Sequence, residues 1–227
     1  MGATKTEHRR RRDIELARIA DCERTAARNF AEHRATPLFV GALPAAPFVG
    51  SGVKRPLPSE YRGWRCQSPK SWVDGFDLFL FPGELILTGD RGELVVQRAR
   101  DMAAWCRSSI DSIDYFASKV SSEIETEEYS ADMVRGWLAE IDAGDYEGCR
   151  CERLAKRRRD EATGRFVKND PDDRDRIEYA ADNGEYAVHE ALADLGLHDD
   201  PPDFKVWTYS FLHQREAIKW FLRQGVA

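Results

Sequence analysis

Hydrophobic and polar positions alternate with period two between residues 61 and 97, then take up a helical spacing after residue 100. In and beside "FLFPGELILTGDRGELVVQ", Leu78 and Leu80 fall on one face of an extended strand, with Phe79 and Phe81 on the other. Leu85 and Leu87 oppose Ile86, and Leu94 and Val96 oppose Val95. Pro82-Gly83 supplies the fixed φ and the positive φ of a type II turn, and Gly89-Asp90-Arg91-Gly92 supplies a second turn. With a strand at Tyr61–Cys66, the pattern predicts an antiparallel meander. The middle strands are apolar on both faces, so helices are expected to cover the sheet on at least one side.

Around this sheet the pattern predicts helices. Asp13 can cap a helix running to about His33, with a thin apolar stripe of Ile14, Ala17, Ala20 or Cys22, and Phe30. A thin stripe suits packing against one neighbour or another chain. The preceding Arg9–Arg12 run reads as a frayed arm. Five prolines between Pro37 and Pro58 exclude helix and indicate an extended connection, with short β pieces at Leu38–Val40 and near Phe48. Asp101 and Asp111 can cap the helices in "DMAAWCRSS" and "DSIDYFASKV". Ser130 can cap a third, carrying Met133, Val134, Trp137, Leu138 and Ile141 and ended by Gly144. Cys151–Glu161 reads as a basic helix or loop, and residues 162–172 as turn-like. Two helices follow in "DRDRIEYAAD" and "EYAVHEALADLG", then a break at Pro201-Pro202. A closing helix at about Tyr209–Arg223 is apolar enough for the core. The expected fold class is α+β: a small antiparallel meander packed by helices, with a helical N-terminal arm and a helical C-terminal half. Residues 1–36 form the arm and 37–227 a single domain, divided into an extended linker (37–60), the sheet (61–98) and a mainly helical part (99–227).

Composition narrows the class. Hydrophobic residues make up 42% of the 227 and aromatics 11%, with six Trp, which argues against disorder despite 33% charge and a mean hydropathy of -0.59. No apolar run reaches the roughly 20 residues of a membrane span, and no apolar segment follows the basic start as in a secretory signal. The expected location is the cytoplasm. The five cysteines are odd in number and lack a CxxC pair, so neither a disulfide framework nor a zinc site is expected; Cys149 and Cys151 are the one close pair.

Charge is segregated within the net of -6. Residues 1–36 carry nine basic against six acidic groups. Residues 121–147 carry nine acidic groups against Arg135, among them Glu125, Glu127 and Glu128. Residues 150–159 carry six basic groups against Glu152, including Arg157, Arg158 and Arg159. Such blocks suit charged docking faces.

Candidate chemistry is sparse. Glu84, Asp90 and Glu93 could form a carboxylate cluster, but a strand of about five residues puts Glu84 about 15 Å from the other two. Only Asp90 and Glu93 can approach each other. His198-Asp199 resembles half of a metal-phosphohydrolase pair, but His189 and His213 lack the matching spacing. Nucleophile-elbow and phosphate-loop motifs are absent. No catalytic residue, metal ligand or cofactor is assigned. The candidate partner-binding residues are Asp90, Arg91, Glu93, Glu125, Glu127, Glu128, Arg157, Arg158 and Arg159.

The segment "WRCQSPKSWVDGFDLFLFPGELILTGDRGELVV" (Trp64–Val96), the helix Asp114–Val120 and the closing "FLHQREAIKWF" (Phe211–Phe221) resemble a loose family of uncharacterised phage-encoded proteins with PG and GDxGE turns. Proteins of this sort are found among phage genes that block bacterial immunity, including anti-CRISPR and anti-Gabija proteins. The resemblance implies a non-enzymatic protein that binds and inhibits a host defence complex in the host cytoplasm, as a homo-oligomer, through charged and aromatic surface. Two alternatives rest on other residues: nucleic-acid association through Arg9–Arg12 and Arg150–Arg159, and a metal-dependent enzyme using Asp90, Glu93 or His198.

Overall fold

Alternation of apolar side chains builds the sheet at the centre of the fold. Five strands pair antiparallel in chain order: β1 (Arg34–Ala42), β2 (Glu60–Ser68), β3 (Ser71–Phe81), β4 (Glu84–Gly89) and β5 (Gly92–Gln97). The structure is a computed structural model that describes residues 5–42, 60–143, 158–159, 166–167, 171–195 and 204–225. Among these residues the remaining elements are α1 (Lys5–Asn29), α2 (Met102–Ser109), α3 (Ile113–Ala117), β6 (Glu127–Tyr129), α4 (Ala131–Ala143), β7 (Arg158–Arg159), β8 (Phe166–Val167), α5 (Pro171–Asp182), α6 (Glu185–Asp194), β9 (Lys205–Trp207) and α7 (Tyr209–Arg223). The class is α+β. Among the described residues no helix is long and apolar enough to cross a membrane.

The two predicted turns set the register. Phe81 pairs with Glu84 around Pro82-Gly83, where Gly83 has φ 96°. Gly89 pairs with Gly92 around Asp90-Arg91, where Gly92 has φ 88°. That register sends Trp64, Cys66, Phe76, Leu78, Leu85, Leu87, Leu94 and Val96 to one face, where all are buried. The second half of α1 (Cys22, Ala26) with Phe30 just after it, α2 (Met102, Cys106) and α7 (Phe211, Leu212, Ala217, Ile218, Phe221) complete this core. Apolar burial of this kind contributes about 25 cal/mol per Å² removed from water.

Capping explains two of the covering helices. The Asp101 side chain accepts from Ala104 N at the start of α2, as the sequence predicts. Thr208 Oγ1 accepts from Phe211 N at the start of α7. Asp111 does not cap α3. That helix begins after Ser112, spans five residues, and has no side-chain cap.

Three further expectations are corrected. α1 begins at Lys5 rather than Asp13, so Arg9–Arg12 lie within the helix and not in a frayed arm. Its register is held by Arg11, which pairs with Glu15 at 2.8 Å and also with Glu127. The thin stripe of α1 serves this chain's own core, since Cys22, Ala26 and Phe30 lie under the sheet. The β piece expected at Leu38–Val40 is there, but within a full strand rather than an extended connection: Pro37 and Phe39 pair with Trp64 and Gly63 across a register shift that bypasses Leu38. A bulge there accommodates the proline, and an edge strand tolerates its missing donor. Arg158–Arg159 are extended and pair with Phe166–Val167, not helical. The β piece near Phe48, Gly144, Cys149, Cys151, Arg150–Arg157, His198-Asp199 and Pro201-Pro202 lie outside the described residues.

The chain divides into two units. Arg18–Thr126 with Trp207–Ala227 forms the sheet unit. Met1–Ala17 with Glu127–Val206 forms a helical unit with a core of its own: Met133, Val134, Trp137 and Leu138 of α4, Ile177 of α5, Val188 and Leu192 of α6, and Phe204 and Val206. In the helical unit the Tyr129 hydroxyl donates to the Ala181 carbonyl at 3.1 Å, and Ser130 N donates to Phe204 O at 2.8 Å.

Candidate functional site

Among the described residues, alternation leaves the second face of the sheet outside the helical cover. Phe39, Tyr61, Phe79, Phe81, Ile86 and Val95 share this face, and none of them is buried. Phe39 stacks on Phe79 with centroids 5.9 Å apart, and Tyr61 on Phe81 at 6.3 Å. Glycine makes this possible. A Cβ on Gly63 would lie 2.7 Å from the Phe39 ring and 2.9 Å from Phe79, and one on Gly41 would lie 2.1 Å from the Tyr61 ring. The rings lie flat over bare backbone, covering strands that glycine would otherwise weaken. Arg65 and Asp77 add a bidentate pair at 3.0 and 2.9 Å on the same face.

The two edges of the sheet differ. β5 is covered: Gln97 N donates to Lys119 O and Ser121 N to Val95 O, with a bridge between Val96 and Val120. Among the described residues β1 pairs only with β2. It bears no charge between Thr36 and Ala42, and Leu38, Phe39 and Val40 are 42%, 38% and 66% exposed. Natural edge strands are usually blunted by charge, proline or bulges. β1 has Pro37 and the bulge in its first half only. At the β2–β3 hairpin end, Trp72 is 83% exposed.

The predicted contact turn, Asp90-Arg91, is anchored rather than free. Arg91 pairs with Asp74 at 2.9 Å, and its carbonyl accepts from Ser210 Oγ and from Gln214 Nε2 at 2.8 Å. Asp74 adopts φ 59°, a conformation that Asp tolerates better than most residues. It also accepts from Asn29 Nδ2 at 2.6 Å. A cavity of about 10 Å³, the size of one water, is lined by residues including Phe30, Asp74, Arg91, His213 and Gln214. Asn29, His33, Asp74, His213 and Gln214 were not singled out for this cluster from the sequence. The available signal was polar residues inside the apolar stripe of "FLHQREAIKWF".

The other candidates separate. Glu84 accepts from Gln97 at 2.6 Å, while Glu93 pairs with Thr88 at the opposite end of β4, so the three carboxylates do not form a cluster. Glu127 is taken up by Arg11, and Glu125 and Glu128 are exposed. His189 is exposed on α6, and His213 is buried on α7. Arg157 lies outside the described residues; Arg158 and Arg159 are placed by their backbone pairing alone. Among the described residues no group of three His, Cys, Asp or Glu side chains could hold a metal ion.

α7 also carries a buried ionic group. Arg215 and Glu216 are 4% and 5% exposed and pair at 3.0 Å. Arg215 Nε donates to Ile110 O at 2.7 Å, and Lys219 reaches Glu216 at 3.2 Å. Cys22, Cys66 and Cys106 are free and buried. Burial pushes their thiols up to about 11, 12 and 12 respectively, with Asp21 and Glu216 adding to the rise at Cys22. Thiols in that range hold almost no thiolate near neutral pH and are poor nucleophiles. No family model, curated protein or solved structure matches the chain.

Proposed function

We propose that this chain is a non-enzymatic binding protein whose contact surface is the open side of the sheet: the ring-covered face together with the β1 edge. The observation that supports this reading most is the exposure of Leu38, Phe39 and Val40 on the uncharged Thr36–Ala42 stretch of an edge strand. Such an edge offers unpaired main-chain groups to an added strand, and alternate side chains supply selectivity. The stacked rings beside it offer rigid apolar area at small entropic cost. The resemblance of Trp64–Val96 to phage-encoded proteins suggests the partner class: a protein of a bacterial immune complex, which the chain binds and inhibits. The nucleic-acid reading is weaker, because Arg11 already pairs with Glu15 and Glu127.

The test is protection of phage. Bacteria carrying a defined defence system, CRISPR–Cas or Gabija, are challenged with phage in the presence of the chain. Plaquing rises with the wild-type chain and returns to baseline with Val40→Lys, while the purified variant keeps the wild-type melting temperature. Val40 is 66% exposed, so lysine is tolerated there, but it places charge on the edge. Unchanged plaquing with the wild-type chain against both systems would overturn the inhibitory reading. Full protection by the variant would overturn the proposed surface.

A further inference from the structure

Phe30 stands just beyond the last residue of α1, and its ring is met edge-on by three others. The centroids of His33, Phe76 and His213 lie 5.1, 5.6 and 5.1 Å from it. Trp220 lies 6.0 Å from both Phe30 and His33. The two imidazoles are 7% and 5% exposed. His33 Nε2 is 3.2 Å from the Asp74 carbonyl oxygen. A carbonyl can only accept, so Nε2 carries the proton of the neutral ring and Nδ1 is bare. That Nδ1 has no hydrogen-bond partner, and neither has His213 Nε2. A protonated ring donates from both nitrogens. Each of these rings would therefore bury one N–H without an acceptor, at the cost of desolvating a charge.

The surrounding charges oppose protonation as well. Arg91 reaches the cluster from the β4–β5 turn, and both it and His33 disfavour charge on His213. Asp74, at the start of β3, is the one favourable group, but its carboxylate already accepts from Arg91 and Asn29. On α7 itself, Arg215 and Glu216 are paired with each other.

We propose that His213, packed with His33 around Phe30, is a pH-sensitive latch. With His213 neutral, the two rings clamp Phe30 and hold the end of α1 and the Asp90-Arg91 turn against the core. Protonation of His213 releases both. The latch reaches the turn because His213 shares a helix with Ser210 and Gln214, the two residues that grip the Arg91 carbonyl. Loosening that grip frees the turn that presents Asp90 and Glu93. This inference does not depend on the binding role proposed above.

Burial, the nearby Arg91 charge and His33 lower the His213 pKa from its ordinary 6.5, and Asp74 offsets them only in part. The unfolded or released chain then binds a proton that the latched chain refuses. The latched state is at full stability above about pH 6.5 and loses stability as pH falls through the lowered value. Amide hydrogen exchange of the full chain by NMR tests this between about pH 7.5 and pH 5.5, after correction for intrinsic rates. The reporters are the amides of Phe30, His33 and Asp90, which bond to Ala26, Phe30 and Gly75. Their protection is expected to fall by about tenfold or more, the equivalent of one pKa unit. Val188 of α6 and Leu195 just after it, bonded to Gly184 and Ala191, are expected to keep theirs. In the double variant His33→Gln/His213→Met the loss disappears. If that variant does not fold, the imidazole titration of the wild-type chain decides. A His213 pKa at or above 6.5 with unchanged protection, or a folded double variant with the same pH dependence, would overturn the latch.

Discussion

Asp74 joins three parts of the sheet unit through one carboxylate. It accepts from Asn29 and Arg91, sits at φ 59°, and its own carbonyl holds His33. Asp74→Ala removes both acceptors and the short polar side chain that eases a positive φ, a conformation that costs other L-residues about 1–2 kcal/mol. The expected loss is about 2–4 kcal/mol in urea denaturation, with Asp74→Asn recovering part of it because Asn tolerates positive φ. A loss under about 0.5 kcal/mol would show that the residue anchors nothing. Thiol chemistry gives a second check at this scale. Cys22, Cys66 and Cys106 are buried with thiols raised to about 11 to 12. An aromatic disulfide reagent at about pH 8 is expected to leave all three unmodified in the native chain and to modify them in denaturant. Rapid native labelling of Cys66, located by peptide mapping, would contradict the packing under β2.

Among the elements, α7 has the most unusual composition for its place. Every residue from Phe211 to Ile218 is buried, including His213, Gln214, Arg215 and Glu216. A helix surrounded on all sides must satisfy its polar groups inside the protein. Arg215 does so through Ile110 O and Glu216, and Glu216 through Arg215 and Lys219. Removing one partner of a buried pair costs about 3–5 kcal/mol, whereas replacing both with apolar groups is often near neutral. Glu216→Leu is therefore expected to cost about 3 kcal/mol, and Arg215→Met/Glu216→Leu less than that single change. Additive losses in the double-mutant cycle would mean that the two charges act independently. The N-terminal helix shows a related point about faces. Its second half puts Cys22 and Ala26 into the core of the sheet unit, while in its first half Ile14 packs on the core of the helical unit and Arg11 pairs with Glu15 and Glu127.

Across the whole molecule, the two units bury separate cores. The sheet face left uncovered by the described residues belongs to one of them. On the two proposals, the buried histidines set conditions of stability and the partly exposed rings of the sheet unit offer surface. Val40→Lys should leave melting unchanged while abolishing protection of phage, and acidification should loosen the end of α1 while leaving α6 protected. The two effects are separable because Val40 is at the sheet edge and His213 is in the core.

The sequence by itself determined the meander, its two turns, the capped helix at Asp101 and the closing helix. These depend on period, glycine and proline, which are local properties of the chain. The spacing of Glu84 from Asp90 and Glu93 was equally legible, because strand rise is fixed. Tertiary structure alone decided that β1 joins the sheet, since five prolines in a stretch argue against a strand until an edge position and a bulge make room for Pro37. It also decided which apolar face stays open: period two separates the faces but does not say which one the helices cover. The meeting of His33, Asp74, Arg91 and His213 was likewise invisible in the chain, because residues from four distant segments are brought together only when α1 and α7 pack on the same side of the sheet.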